Sequence, residues 1–358
     1  MANPSVGERP APGADVDLDV AALQAWLAPG LGAPDATLTA VRMGTATGIG
    51  NALFALRLGD QELVLRRPPA VLNHPSASNM VREWRILTAL EGTLVPHPTP
   101  RALCEDTAVV GVPFLVMDKV EGFTPGFALP EPFASDATLR RDLAHAYVDA
   151  LVDLAAVDWR ARGLEGLGKP EGFLERQVSR WLGQLDQYRT RDLPELDFLT
   201  EWLEANRPQN GPIGLMHGDY SPFNIMVAPE SPGRLAAVID WDTGTIGDPL
   251  LDIGHLLARW TDPGEEPVID AGGPPVDYGV TRAELAARYA ERSHLDTTDL
   301  PYYAALALFK LAVILEGTYH RQARAGVPEA ENTMARIVPG LFTAAAEFAR
   351  GRRALQPR

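Results

Sequence analysis

Apolar and polar positions along the chain follow two different periods. Near the start, Leu23, Trp26 and Leu27 recur at helical spacing in residues 20–27, a segment that Pro29 and Gly30 are expected to stop. From residue 36 the alternation becomes that of strands, 38–43, 52–58 and 62–66, the last two joined by Gly59-Asp60, a hairpin signal. A helical stretch follows in VREWRILTAL, residues 81–90, then a Pro-rich connection at 95–100 and two more strand-like segments, 102–105 and 113–117. Beyond these the period is almost entirely helical. Helices are predicted over 139–157, 171–188, 196–203, 256–260, 282–293, 302–322 and 333–350, the last broken or kinked at Pro339-Gly340. Short strands first and helices afterwards predict an α+β protein with a small mixed lobe ahead of a large, mainly helical one.

Residues 213–254 interrupt the helical run and carry the chemistry. Asp219 lies on a polar loop after a short apolar run, and Asn224 follows it closely. Ile225, Met226 and Val227 then lead through a turn rich in Pro and Gly (Pro229, Pro232, Gly233) to a second apolar run, 235–239, which ends on Asp240. Two short strands joined by a tight turn bring the loop before the first and the residue after the second to the same end of a hairpin. Asp219, Asn224 and Asp240 are therefore expected to converge. Asn224 and Asp240 offer hard oxygen ligands to Mg²⁺, while Asp219 is left to orient and deprotonate an attacking hydroxyl, as metal-assisted phosphoryl transfer requires. Asp248 or Asp252 also reads as a cap for the apolar helix that follows.

Composition narrows the partners. A chain of 358 residues with 46% hydrophobic content can bury a core large enough for two lobes. Its net charge of −15 argues against a nucleic-acid partner, which needs a basic face. The single cysteine, Cys104, excludes an intramolecular disulfide and a cysteine metal cluster. Residues 302–315 form the longest apolar stretch, broken by Lys310, and the N-terminus lacks the pattern of a secretory signal, so no membrane association and a cytoplasmic location are expected.

The motif H-G-D-x-x-x-x-N at His217, Gly218, Asp219 and Asn224, followed by I-D-W at residues 239–241 and G-D-P-x-x-D at 247–252, resembles the aminoglycoside phosphotransferase family. Ile253 stands where that family usually has leucine. The resemblance covers about residues 35–320 and implies a protein-kinase-like fold that uses ATP and Mg²⁺. It implies an arm and helix over 1–34, an N-lobe over 35–117, a hinge at 118–122 and a C-lobe over 123–358. Within the C-lobe it places a catalytic loop at 217–224 and a metal-binding segment at 240–252. Arg66 stands where kinase-like folds place the phosphate-binding lysine, and Glu83 is placed to pair with it. Strand alternation favours Arg66 over Arg67 as the inward residue. The glycine-containing turn around Gly48 is implied to cover phosphates, and Met117, Asp118 and Val120 to meet adenine.

The closest likeness is to the branch linked to acyl-CoA dehydrogenases, carried by LRRPP (65–69), REWRIL (82–87), residues 104–122 and residues 157–185. That branch is implied to act on hydroxylated acyl groups. Arg176 and Arg180, four apart on one face of a helix with Trp181 beside them, are then candidate contacts for a CoA ester, and the apolar stretch 302–315 a candidate acyl lining. The acceptor is expected to be a small-molecule hydroxyl, on a hydroxyacyl-CoA or alternatively on an aminoglycoside or other antibiotic, in a monomer or homodimer. A nucleotide-binding pseudokinase with a regulatory role is the alternative of another class. A P-loop enzyme is excluded, since of Lys119, Lys169 and Lys310 only Lys169 follows a glycine, and Pro170 comes next.

Overall fold

The computed structural model describes residues 18–44, 51–68, 77–126, 128–228, 233–269, 276–353 and 355. The chain divides into two compact units, one of residues 1–91 and 98–120, the other of residues 92–97 and 121–358.

In the first unit, Asp19 opens helix α1 (Val20–Gly30) by accepting the Ala22 N–H at 2.9 Å. The helix runs past the predicted stop at Pro29, because the Leu31 N–H still reaches Leu27 O at 3.1 Å. Strands β1 (Leu38–Met43), β2 (Ala52–Leu58) and β3 (Gln61–Arg67) follow, then α2 (Ala77–Leu90), β4 (Pro100–Cys104), a single turn α3 (Thr107–Val110) and β5 (Phe114–Asp118). The strands form one antiparallel sheet in the order β1-β2-β3-β5-β4.

The pleat gives this sheet two unlike faces. Phe54, Leu56, Leu58, Leu63, Leu65, Phe114 and Val116 pack on Leu23 and Leu27 of α1 as one core. The opposite face carries two cross-strand rows, Val41-Ala55-Val64-Met117 and Met43-Leu53-Arg66-Leu115. Leu115 is fully buried, whereas Val41, Met43 and Leu53 are exposed.

The second unit begins with α4 (Ala137–Ala155), capped by Asp136, and continues through α5 (Gln177–Leu185) and α6 (Leu196–Ala205). Strands β6 (Gly214–Met216), β7 (Ile225–Val227), β8 (Leu235–Val238) and β9 (Thr245–Gly247) form two small antiparallel pairs, β6 with β9 and β7 with β8. The chain closes with α7 (Leu250–Arg259), α8 (Arg282–Ser293), α9 (Leu300–Arg324) and α10 (Met334–Ala349). A small sheet-bearing lobe and a large helical one make this the α+β architecture of kinase-like proteins.

Two further helix predictions are corrected. Helix α7 starts at Leu250, well before residue 256, because Asp248 Oδ1 accepts the Leu250 N–H at 3.0 Å and starts the turn. Helix α10 runs through Pro339 without a break. Proline cannot donate to the carbonyl four residues back, and that carbonyl, Ala335 O, accepts instead from Arg191 Nη1 at 3.2 Å. Arg191 is held there by Glu316 of α9 through a 2.6 Å ion pair in which Glu316 is fully buried.

Helix α9 is long and apolar enough to cross a membrane by length and composition, yet 72% of its most apolar window is buried. Tyr302, Tyr303, Leu306, Leu308 and Phe309 are core residues, and α9 packs on α5, α6, α7 and α10. Core packing therefore consumes most of the surface read from sequence as an acyl lining.

Candidate active site

The β7–β8 hairpin performs the convergence expected of it. Ile225 pairs with Val238, and the Ile239 N–H donates to Asn224 O at 2.9 Å, so Asn224 lies beside the end of the second strand, where Asp240 follows. Asp240 adopts the left-handed conformation at φ 64° and ψ 63°, a strained geometry for a non-glycine residue and one that clusters at functional sites. Asn224 Nδ2 donates to the backbone carbonyl and to Oδ2 of Asp219, at 2.9 and 3.1 Å.

The His217–Asp219 loop has no ladder of its own, and side chains satisfy each of its backbone groups. Asp252 accepts the N–H of His217 at 2.6 Å through Oδ2 and that of Gly218 at 2.8 Å through Oδ1. Thr243 Oγ1 donates to His217 O, Lys310 Nζ to Gly218 O, and Asn224 Nδ2 to Asp219 O. The Asp219 N–H donates to His217 Nδ1 at 3.2 Å, which leaves His217 Nε2 to donate to Ile239 O at 2.9 Å and fixes the tautomer. Gly218 sits at φ +82°, where an added Cβ would lie 2.8 Å from Thr243 O, so the loop closes only around glycine. Asp252 thus anchors the His217–Asp219 loop, and of the two aspartates considered as caps only Asp248 serves the helix.

Amid this fixed backbone the Asp219 carboxylate stays half exposed. His255 Nε2 lies 4.0 Å from Asp219 Oδ1 and accepts from Arg259 Nη1 at 3.3 Å. Burial, reinforced by Arg259 and Lys310, holds the His255 pKa well below its usual value, so the ring is neutral. Burial also lowers the Arg259 and Lys310 pKa values, opposed in both by the Asp219 charge. None of His255, Arg259 or Lys310 was singled out from the sequence. Lys310 left one signal there, as the charge that interrupts an apolar stretch.

In the sheet-bearing unit Arg66 Nη1 meets Glu83 Oε1 at 2.9 Å, with both residues buried. Arg67 is buried too, but on the other face, with its guanidinium 5.5 Å from the Phe54 ring centre. Alternation along β3 thus separates the two arginines as expected. At the predicted hinge, Asp118 and Lys119 already give their N–H groups to Thr99 O and Glu62 O, at 2.9 and 3.1 Å. The Asp118 carboxylate is gripped by Arg101 at 2.6 and 2.7 Å. Gly48 lies outside the described residues.

Of the three candidate substrate residues, Arg180 and Trp181 stay together and Arg176 is engaged elsewhere. Arg176 belongs to a 3₁₀ turn before α5, and both its terminal nitrogens donate to backbone carbonyls, those of Glu171 and Lys169. That corrects the picture of Arg176 and Arg180 on one α-helical face. Trp181 is buried, with Nε1 donating to Gln177 Oε1 at 3.2 Å. Arg180 is exposed, 5.1 Å from the Trp181 ring centre, and Lys310 Nζ lies 5.7 Å from the same ring.

Comparison with known proteins follows the same lines. The model of the phosphotransferase enzyme family matches residues 45–308. The chain is similar to human acyl-CoA dehydrogenase family member 11, 33% identical over 298 residues, which are 80% of this chain and 37% of that protein. It therefore spans little more than a third of that relative. Among solved structures it is similar to a Ralstonia eutropha protein provisionally assigned as an aminoglycoside phosphotransferase, with TM-score 0.79, 28% identity and coverage of 93% and 98% of the two chains. The GDP complex of aminoglycoside 2'-phosphotransferase-IIIa shares the fold, with TM-score 0.61, 16% identity and coverage of 92% and 99%.

Proposed function

Because the chain belongs to the phosphotransferase enzyme family and is on that ground an ATP-dependent small-molecule phosphotransferase, we propose that Asp219 is its general base and that the acceptor hydroxyl is carried by a hydroxyacyl-CoA. In this reading the acceptor oxygen bonds to the γ-phosphorus, its proton passes to Asp219, and the bond to ADP breaks. Asp219 suits the role by being half exposed on a loop whose backbone is wholly tied.

The donor set near Asp219 fits Mg²⁺. With Asn224 Nδ2 turned to Asp219, Asn224 Oδ1 faces away from that contact, and Asp240 follows the adjacent residue Ile239. Among the described residues no group of three or more His, Cys, Asp or Glu side chains is placed to hold a metal, and two protein oxygens suit an ion that keeps waters and phosphate oxygens as its other ligands. When bound, the ion supplies charge neutralisation to the phosphates. Arg66, oriented by Glu83, is assigned to ATP phosphates, and Val120 N–H together with the apolar row that runs from exposed Val41 to buried Met117 to the adenine.

One observation carries the acceptor class. Arg259 lies 3.3 Å from His255, whose ring is 4.0 Å from the Asp219 carboxylate, and Arg180 stands exposed over the Trp181 ring. These guanidinium groups favour an anionic CoA ester over a polycationic aminoglycoside, against the opposing pull of the Asp219 and Asp240 carboxylates. The assignment is tested by following ADP release with ATP and Mg²⁺ over hydroxyacyl-CoA esters, aminoglycosides, macrolides and amino alcohols, with Asp219→Asn as control. Turnover of aminoglycosides in preference to acyl-CoA esters overturns the acceptor reading, and nucleotide binding without transfer to any alcohol favours the pseudokinase.

A further inference from the structure

Among the ties that hold the His217–Asp219 backbone, one comes from far along the chain. Asp252, Thr243, His217 and Asn224 all lie within residues 213–254, whereas Lys310 reaches Gly218 O from α9, at 2.6 Å. Lys310 is also the one charge in the otherwise apolar stretch 302–315, set among core residues such as Leu308, Phe309 and Ala312. Sinking an ammonium group there is unfavourable, as its burial-lowered pKa reflects, unless partners compensate. The compensation is specific: the Gly218 carbonyl, the Trp181 ring at 5.7 Å, and the charges of Asp219 and Asp252.

We propose that Lys310 is a positioning residue for the general base. Its bond to Gly218 O, made from a helix packed against α7, fixes the peptide that joins Gly218 to Asp219. The Gly218–Asp219 peptide is then held from both sides, by His217 Nδ1 at its N–H and by Lys310 at its oxygen. Rotation of that peptide is the motion that swings Asp219 away from an acceptor hydroxyl, and small displacements of a reacting group cost up to about 100-fold in rate.

This inference rests on Asp219 acting as base, and its test separates the two claims. Lys310→Met keeps the apolar stem and removes the donor and the charge, and Lys310→Arg restores both. With ATP and a hydroxyacyl-CoA, Lys310→Met is expected to lower kcat about 10- to 100-fold while KM for either substrate changes less than about 3-fold, and Lys310→Arg to recover part of the loss. Amide hydrogen exchange at residues 217–219 is expected to quicken in Lys310→Met, with exchange in α7 and α9 unchanged. Unchanged kcat and exchange overturn the proposal. So does a rise in acceptor KM at constant kcat, which makes Lys310 a substrate contact, and so does faster exchange throughout the second unit, which makes it merely a packing residue. If the wild-type chain phosphorylates no hydroxyacyl-CoA, the functional reading fails, and the exchange measurement still decides whether Lys310 holds the loop.

Discussion

Glu83 on α2 holds Arg66 on β3 through a 2.9 Å ion pair with both residues buried, seventeen residues apart in sequence. Such a pair adds little net stability, because desolvation offsets its attraction, but loss of one partner strands the other's charge. Its value is orientation. A guanidinium offers a rigid fork to phosphate oxygens where an ammonium offers a point charge.

If Arg66 serves ATP phosphates, Arg66→Ala is expected to raise the KM for ATP steeply, and Arg66→Lys to retain part of the activity. Glu83→Gln should give an intermediate effect by loosening the orientation. These are read from initial rates at varied ATP. An Arg66→Ala enzyme with unchanged ATP dependence removes the assignment.

Asp219 and Asp240 are expected to fail differently. Asp219→Asn should preserve Mg·ATP affinity by calorimetry while turnover falls by about 10² to 10⁴. Asp240→Ala should weaken Mg·ATP binding itself. Equal and small effects in both variants contradict the division of roles.

Much of this was legible because it is local. The strand–loop–strand pattern around Asn224 and Asp240 needs only a hairpin, and the β3 alternation that separates Arg66 from Arg67 needs only the pleat. What escaped depends on tertiary contacts. Strands β6 and β9 have three residues each, too few for a periodic signal, yet their pairing sets His217 and Thr243 within hydrogen-bonding distance. His255, Arg259 and Lys310 come to Asp219 from helices α7 and α9, and no spacing rule links those helices to the loop. Pro339 misled for the same reason, since the donor that repairs its helix, Arg191, is 144 residues from the carbonyl it bonds.

That repair is itself testable. Arg191→Ala removes the donor to Ala335 O and leaves Glu316 buried without its partner, so a loss on the order of 3–5 kcal/mol is expected in urea unfolding. Pro339→Ala returns an N–H to the helix. In that background the Arg191→Ala loss should be smaller, because the carbonyl is then satisfied from within α10. Additive losses would show that Arg191 acts through Glu316 alone.

Asp248 sets a pH dependence of stability at the start of α7. Burial raises its pKa from 3.8 to about 6, opposed by bonds from Tyr303 Oη at 2.7 Å and the Leu250 N–H at 3.0 Å. The folded protein therefore binds a proton at this site over a range, from about pH 4 to about pH 6, in which the unfolded chain has released it. Stability from this group is fully present below about pH 4 and is lost as pH rises through about 6, by on the order of 3 kcal/mol at about 1.4 kcal/mol for each pKa unit. Asp248→Asn cannot titrate and retains an acceptor for Leu250 N–H or Tyr303 Oη. Urea unfolding of the two proteins at several pH values between 4 and 7 isolates the contribution as their difference. Wild type should lose ground to the variant as pH rises, and parallel profiles would mean that the buried carboxylate keeps an ordinary pKa.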